Sequence, residues 1–166
     1  CLVGLGNPGS KYEHTRHNIG KDWLLEFSNK FSVEFKYKSK FEAEIAESHD
    51  GTVLWVIPSN YVNDSGKTVS KILRSTNLES ENLLVLHDEL DLKIGDLRLK
   101  EDGGHGGHNG LRDIISSIVK LSFKKNQAIN AEVAGIRKKT ETVLLAELFF
   151  IKYISIVKAP NDTKNI

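Results

Sequence analysis

Three short stretches gather side chains that can move protons at neutral pH: "HTRHN" (14–18), "HDELD" (87–91) and "DGGHGGHNGLRD" (102–113). Imidazole titrates near neutrality, so a histidine here can serve as a general base or a metal ligand. His14 and His17, three apart, read as half of a metal site with no third ligand at standard spacing, or as a single base beside a solvated neighbour. Asp88 directly follows the apolar run "LLVL"; it can orient a histidine, or help hold Mg²⁺. Glu89 and Asp91 also read as a solvated acidic turn, and His87 stands beside them. The five glycines of the third stretch permit positive φ and close approach of a partner to His105, His108 and Asn109. A flexible surface loop is the plainer reading. Carboxamides recur at two further breaks. "GLGNPG" has the wrong glycine spacing for a dinucleotide fingerprint, and reads as a turn displaying Asn7. In "SNYVNDSG", Asn63 or Asp64 is either a helix N-cap or a group for a peptide backbone in a groove.

The elements that must position these residues follow from periodicity. Leu2 to Leu5 reads as a buried strand, and Asn18 as the cap of a helix carrying Ile19, Trp23, Phe27 and Phe31 with Leu24 beside them. "FEAEIAES" and "TVLWVIP" flank Asp50-Gly51 and predict a β-hairpin. Val69, Ile72 and Leu73 mark a second helix, "NLLVLHDEL" a buried strand, "GDLRLK" a short strand, and Leu111, Ile114, Ile115 and Ile118 a third helix. Strands alternating with helices predict an α/β fold, a mixed β-sheet flanked by helices in a three-layer sandwich. Ligands of such sheets bind beyond the carboxyl ends of strands. Asn7, Asn63, Asp88 and the His/Asn loop all follow predicted strands, which turns the balance toward a site.

The 166 residues suffice for one domain with a real core. A single cysteine, Cys1, leaves no internal disulfide framework and no Cys-based zinc cage. No signal-peptide pattern or membrane-length apolar run is present, which predicts a reducing aqueous compartment, the cytoplasm or an organelle interior. The chain has no methionine and opens on "CLVGLG", so the first strand is expected to have lost its beginning. The net charge of +1 divides into −4 over residues 1–117 and +5 over 118–166.

In order and spacing, "GLGNPGxxYxxTRHNxG", "NxSG", "HDELD" and "GGHGGHNGLRDI" resemble the bacterial-type peptidyl-tRNA hydrolases, over residues 2 to about 117. The resemblance implies a monomeric α/β enzyme without metal, other cofactor or membrane partner. It cleaves the ester between peptide and the terminal ribose of tRNA, and so recycles tRNA. By position it implies His17 as base, Asp88 as its partner, and Asn7 and Asn109 assisting at the reacting centre. Asn63 and His108 line the peptide groove, Tyr12 and Tyr61 shape the cleft, and Lys100 meets tRNA phosphate. Two rival readings accompany it: a non-catalytic RNA-binding relative on the same scaffold, and a metal-dependent hydrolase using His105, His108 and Asp88.

Three departures stand out. Val62 replaces the family's methionine before the groove asparagine, which removes a flexible apolar contact. "LKIG" follows "HDELD" where the family is proline-rich. From residue 118 the family's next strand, lid and terminal helix find no match. Residues 1–117 are therefore read as the catalytic domain, and 118–166 as a divergent tail from an altered reading frame that leaves the sheet incomplete. Within it, "VLLAELFFIKYISIV" (143–157) reads as a buried or aggregation-prone helix.

Overall fold

Leu2–Gly4 forms β1, at the centre of a sheet with seven strands among the described residues. In this computed structural model the described residues are 1–92, 96–101, 104–120 and 152–156, with residues 101 and 152–156 as backbone only. The other elements are α1 (Ile19–Asn29), β2 (Lys36–Lys38), β3 (Ala43–Glu47), β4 (Leu54–Pro58), α2 (Ser65–Thr76), β5 (Leu84–Asp88), β6 (Leu97–Glu101), α3 (109–120) and β7 (Lys152–Ile156). Single 3-10 turns at Ser10–Tyr12, Arg16–Asn18 and Val62–Asp64 lead into α1 and α2.

The sheet order is β2-β3-β4-β1-β5-β7-β6. β1 runs parallel to both β4 and β5, and β5 parallel to β7; β2, β3 and β6 pair antiparallel. The hairpin predicted around Asp50-Gly51 is present as β3–β4, with Gly51 at φ +69°.

Alternation along the strands sorts the core into two layers. Val3, Val56 and Val85 join Val69 and Ile72 of α2 and Leu111 and Ile114 of α3. Trp55, Ile57 and Leu86 face the other way, onto Ile19 and Leu24 of α1. This is the three-layer sandwich expected from the sequence. α2 and α3 cross closely at Gly66, where a Cβ would collide with the Asp113 carbonyl oxygen.

Several sequence expectations are corrected. Phe27 and Phe31 are 44% and 50% exposed, and Phe31 lies beyond the end of α1. They sit edge-on to each other and tilted against Trp55 at the rim rather than in the core. Residues 152–156, read as helix, form β7 between β5 and β6, so the sheet gains a strand where it was expected to be incomplete. An apolar run cannot distinguish buried strand from buried helix by periodicity, and here it fills an open sheet position. The remainder of that stretch, and most of the tail read as replacing the family's lid and terminal helix, lie outside the described residues. α3 runs on to residue 120.

A candidate active site at the carboxyl ends of β1, β4 and β5

Because β1, β4 and β5 are parallel, their carboxyl ends share one edge, and the chain leaves each of them into a polar turn. There a cleft of about 480 Å³ is lined by Asn7, His17, Val62, Asn63, Asp88, Glu89, Leu90, Asp91 and residues 106–109.

Asp88 closes β5 and is buried, 4% exposed, between two imidazoles. Its Oδ2 lies 2.9 Å from His17 Nδ1, and its Oδ1 lies 3.0 Å from His108 Nε2. The tautomers follow from the remaining partners. His108 Nδ1 accepts the backbone N–H of Leu111 at 3.2 Å, so the ring proton sits on Nε2 and is donated to Asp88. Ionised Asp88 only accepts, so His17 donates from Nδ1 and keeps a lone pair on Nε2. The His17 side chain is 61% exposed, open to a water in the cleft. Burial pushes the Asp88 carboxyl up, but the hydrogen bonds and electrostatic attraction of His108, then of His17, outweigh it and hold the group below its ordinary range.

The carboxamides are also oriented. Asn7 Oδ1 accepts the N–H of Val62 at 2.9 Å, which ties the turn after β1 to the turn after β4. Asn109 Oδ1 accepts from Arg112 at 2.8 Å, an arrangement that leaves its amide N–H groups as donors beside the cleft. Asn63 is exposed on the cleft wall. Neither Asn63 nor Asp64 caps α2; Asp113 of α3 accepts the Gly66 N–H at 2.7 Å instead.

Other expected residues fall elsewhere. Tyr12 and Tyr61 pack edge to face, with centroids 6.2 Å apart, and are not among the residues that line the cleft. Lys100 lies on β6, opposite Tyr153, outside the cleft lining. His14 turns to Asp22 at 3.7 Å, and His105 Nδ1 accepts the Gly107 N–H at 3.1 Å. His105 is thus occupied within its own loop. Among the described residues no group of three or more His, Cys, Asp or Glu is arranged to hold a metal ion. Gly106 and Gly107 take φ +54° and +85°, so these two glycines serve backbone conformation.

The His/Asn loop does not follow a carboxyl end at this edge. β6 is antiparallel to β7, so Leu97 starts beside Ile156 and Asp88, and Glu101 ends at the far side. By residue 108 the chain is back at Asp88. Two residues take parts that the sequence reading did not give them. His87, 2% exposed, hydrogen-bonds through Nδ1 to the Asp88 carbonyl and sits edge-on to the His108 ring at 4.8 Å. Asn18, read as a helix cap, makes no side-chain cap bond; its carboxamide binds the main chain of Asn7.

The fold and cleft together define an α/β protein with a His–Asp–His centre in a cleft also lined by Asn7, Asn63 and Asn109. A family model described as peptidyl-tRNA hydrolase matches residues 1–145, and the chain belongs to that family. It is 46% identical over 120 residues to a protein named peptidyl-tRNA hydrolase from Actinobacillus pleuropneumoniae serotype 5b, covering 70% of this chain and 61% of that one. A Rickettsia bellii (strain OSU 85-389) protein of the same name is 44% identical over 126 residues, with 75% and 68% covered. The chain therefore spans about three-fifths to two-thirds of the length of these relatives. The crystal structure of peptidyl-tRNA hydrolase from Acinetobacter baumannii superposes with a TM-score of 0.73 at 31% identity, over 98% of this chain and 69% of that one.

Proposed function

We propose that this chain hydrolyses the ester of peptidyl-tRNA, releasing peptide and tRNA, as a cytoplasmic monomer that needs no metal. The reading is carried by one observation: His17, its Nε2 without a hydrogen-bond partner among the described residues, lines the cleft while Nδ1 is held by buried Asp88. In this reaction His17 takes a proton from water as it attacks the ester carbonyl, and Asp88 stabilises the imidazolium that forms. Proton transfer to a positioned base contributes about 10²–10⁴ in rate. Asn7 and Asn109 turn amide donors to the oxygen that gains charge, a contribution of about 3 kcal/mol per donor in comparable sites. The ester's ribose oxygen then leaves with a proton returned from His17.

Asn63 and Val62 form the wall for the peptide backbone, and Tyr12 and Tyr61 flank it from outside the cleft. His108 acts on Asp88 and also lines the groove. Lys100 meets the tRNA away from the ester. The family match supports the substrate, and the cleft supports the chemistry.

The test is single-turnover release of an N-blocked amino acid from tRNA, with His17→Ala for comparison. The expected result is hydrolysis by the unaltered protein and a loss of at least about 10²-fold in the variant. Equal rates would end the reading in favour of a non-catalytic RNA-binding relative.

A further inference from the structure

We propose that Asn18 is a positioning residue: one buried carboxamide locks the turn that carries Asn7 to the turn that carries His17, and so sets the distance between oxyanion donor and base. The inference rests on the functional reading above and deepens it.

Asn18 is 2% exposed and follows His17 directly in the 3-10 turn Arg16–Asn18. Its Oδ1 accepts the Asn7 N–H at 2.7 Å, and its Nδ2 donates to the Asn7 carbonyl at 3.1 Å. Both main-chain polar groups of one residue are thus read by one side chain. The two partners also fix which end of the amide is oxygen, because the reverse orientation would set donor against donor. At Gly6 a Cβ would stand 3.2 Å from the Asn18 Cγ, so the missing side chain lets the carboxamide approach the turn.

The clamp passes its geometry on. With the Asn7 main chain fixed, Asn7 Oδ1 reaches the Val62 N–H, and Asn7 Nδ2 is reserved for the cleft that the residue lines. On the other side, the Asn18 N–H donates to Thr15 at 3.0 Å, which closes the turn beneath His17. A helix cap was available to Asn18 at the start of α1 and is not made. Its hydrogen bonds are spent between the two turns of the site.

The experiment compares the unaltered protein with Asn18→Asp, Asn7→Ala and the double variant. Aspartate keeps the shape and the acceptor but cannot donate to the Asn7 carbonyl. The saturating single-turnover rate should fall about 10- to 100-fold in Asn18→Asp, the scale of an ångström-sized misplacement, with half-saturation little changed. In the Asn7→Ala background Asn18→Asp should cost nothing further, because a residue acting through Asn7 has nothing left to position. Full multiplication of the two losses, or an unaltered rate in Asn18→Asp, overturns the proposal. Should Asn18→Asp not fold, Asn18→Ser replaces it under the same criteria. Hydrogen exchange gives a readout free of catalysis: the Asn7 N–H should lose protection selectively in the Asn18 variant, and retained protection refutes the clamp. If the unaltered protein fails to cleave the ester, the functional reading falls while the exchange measurement still decides the clamp.

Discussion

His108 reaches Asp88 on Oδ1, the carboxylate oxygen that His17 leaves free. One buried acid therefore accepts from two imidazoles, and its substitution has a predictable asymmetry. In Asp88→Asn only one oxygen remains to accept. His108 cannot yield, because its Nδ1 already accepts from Leu111 and a neutral ring must carry its proton on Nε2. The new amide NH₂ is thus driven toward His17 and forces its proton onto Nε2, the position needed as base. Asp88→Asn should lose about 10⁴ in saturating rate, the loss seen when the acid of a catalytic triad is amidated. A loss under tenfold, with folding intact, would show that Asp88 does not set the His17 tautomer.

His87 makes stability depend on pH. Its pKa is pushed down to about 4, first by burial and then by the neighbouring His108, against the hydrogen bond to Asp88. The unfolded chain takes up this proton near 6.5, whereas the folded one resists until about 4. Between those values the unfolded state binds more protons, so stability falls as pH drops, by about 3 kcal/mol across the window. Glu42 and Asp50, both held to about 2, act at lower pH. Urea unfolding at intervals from pH 7 to 4 should show this slope, and His87→Asn should flatten it. An identical slope in the variant would assign the dependence to other groups.

Gly66 offers a prediction whose sign is informative. Within an exposed helix, replacing glycine by alanine stabilises by about 1 kcal/mol. Here the added Cβ meets the Asp113 carbonyl and Ser117, and separating the helices also strains the Gly66 N–H bond to Asp113. Gly66→Ala should instead destabilise by about 1–3 kcal/mol. Thermal or urea unfolding reads this directly; a stabilised variant would mean that α2 and α3 do not cross there.

How much of this was legible in the sequence varied with the range of the interaction. β1, β4 and β5 announce themselves as apolar runs broken by polar residues, and those residues form the cleft. The α1 pattern misled because a strict every-fourth repeat drifts about 40° per step around a helix, carrying Phe27 to the rim. Asn18 was misread because an asparagine before a helix looks the same whether it caps the helix or clamps a turn 11 residues earlier. The bond from His108 to Asp88 could not be derived from strand order alone, since β6 ends on the opposite side of the sheet. Local pattern encodes which face a residue takes; its partner across the fold is encoded by topology.

Lys100 tests whether the reading extends beyond the ester. It stands three residues along β6 from Leu97, the end of the strand nearest Asp88. At strand rise that is roughly 10 Å from the reacting edge. A lysine there meets the body of the tRNA, and a phosphate contact has a recognisable signature. Each phosphate neutralised releases counterions, so the plot of log affinity against log salt should lose about one unit of slope in Lys100→Ala. Affinity should fall similarly for tRNAs of different sequence, since the contact reads charge. Titrations in the slowed His17→Ala background, with and without Lys100→Ala, would measure binding ahead of turnover. An unchanged slope would remove Lys100 from the interface and return it to an ordinary charge on a strand.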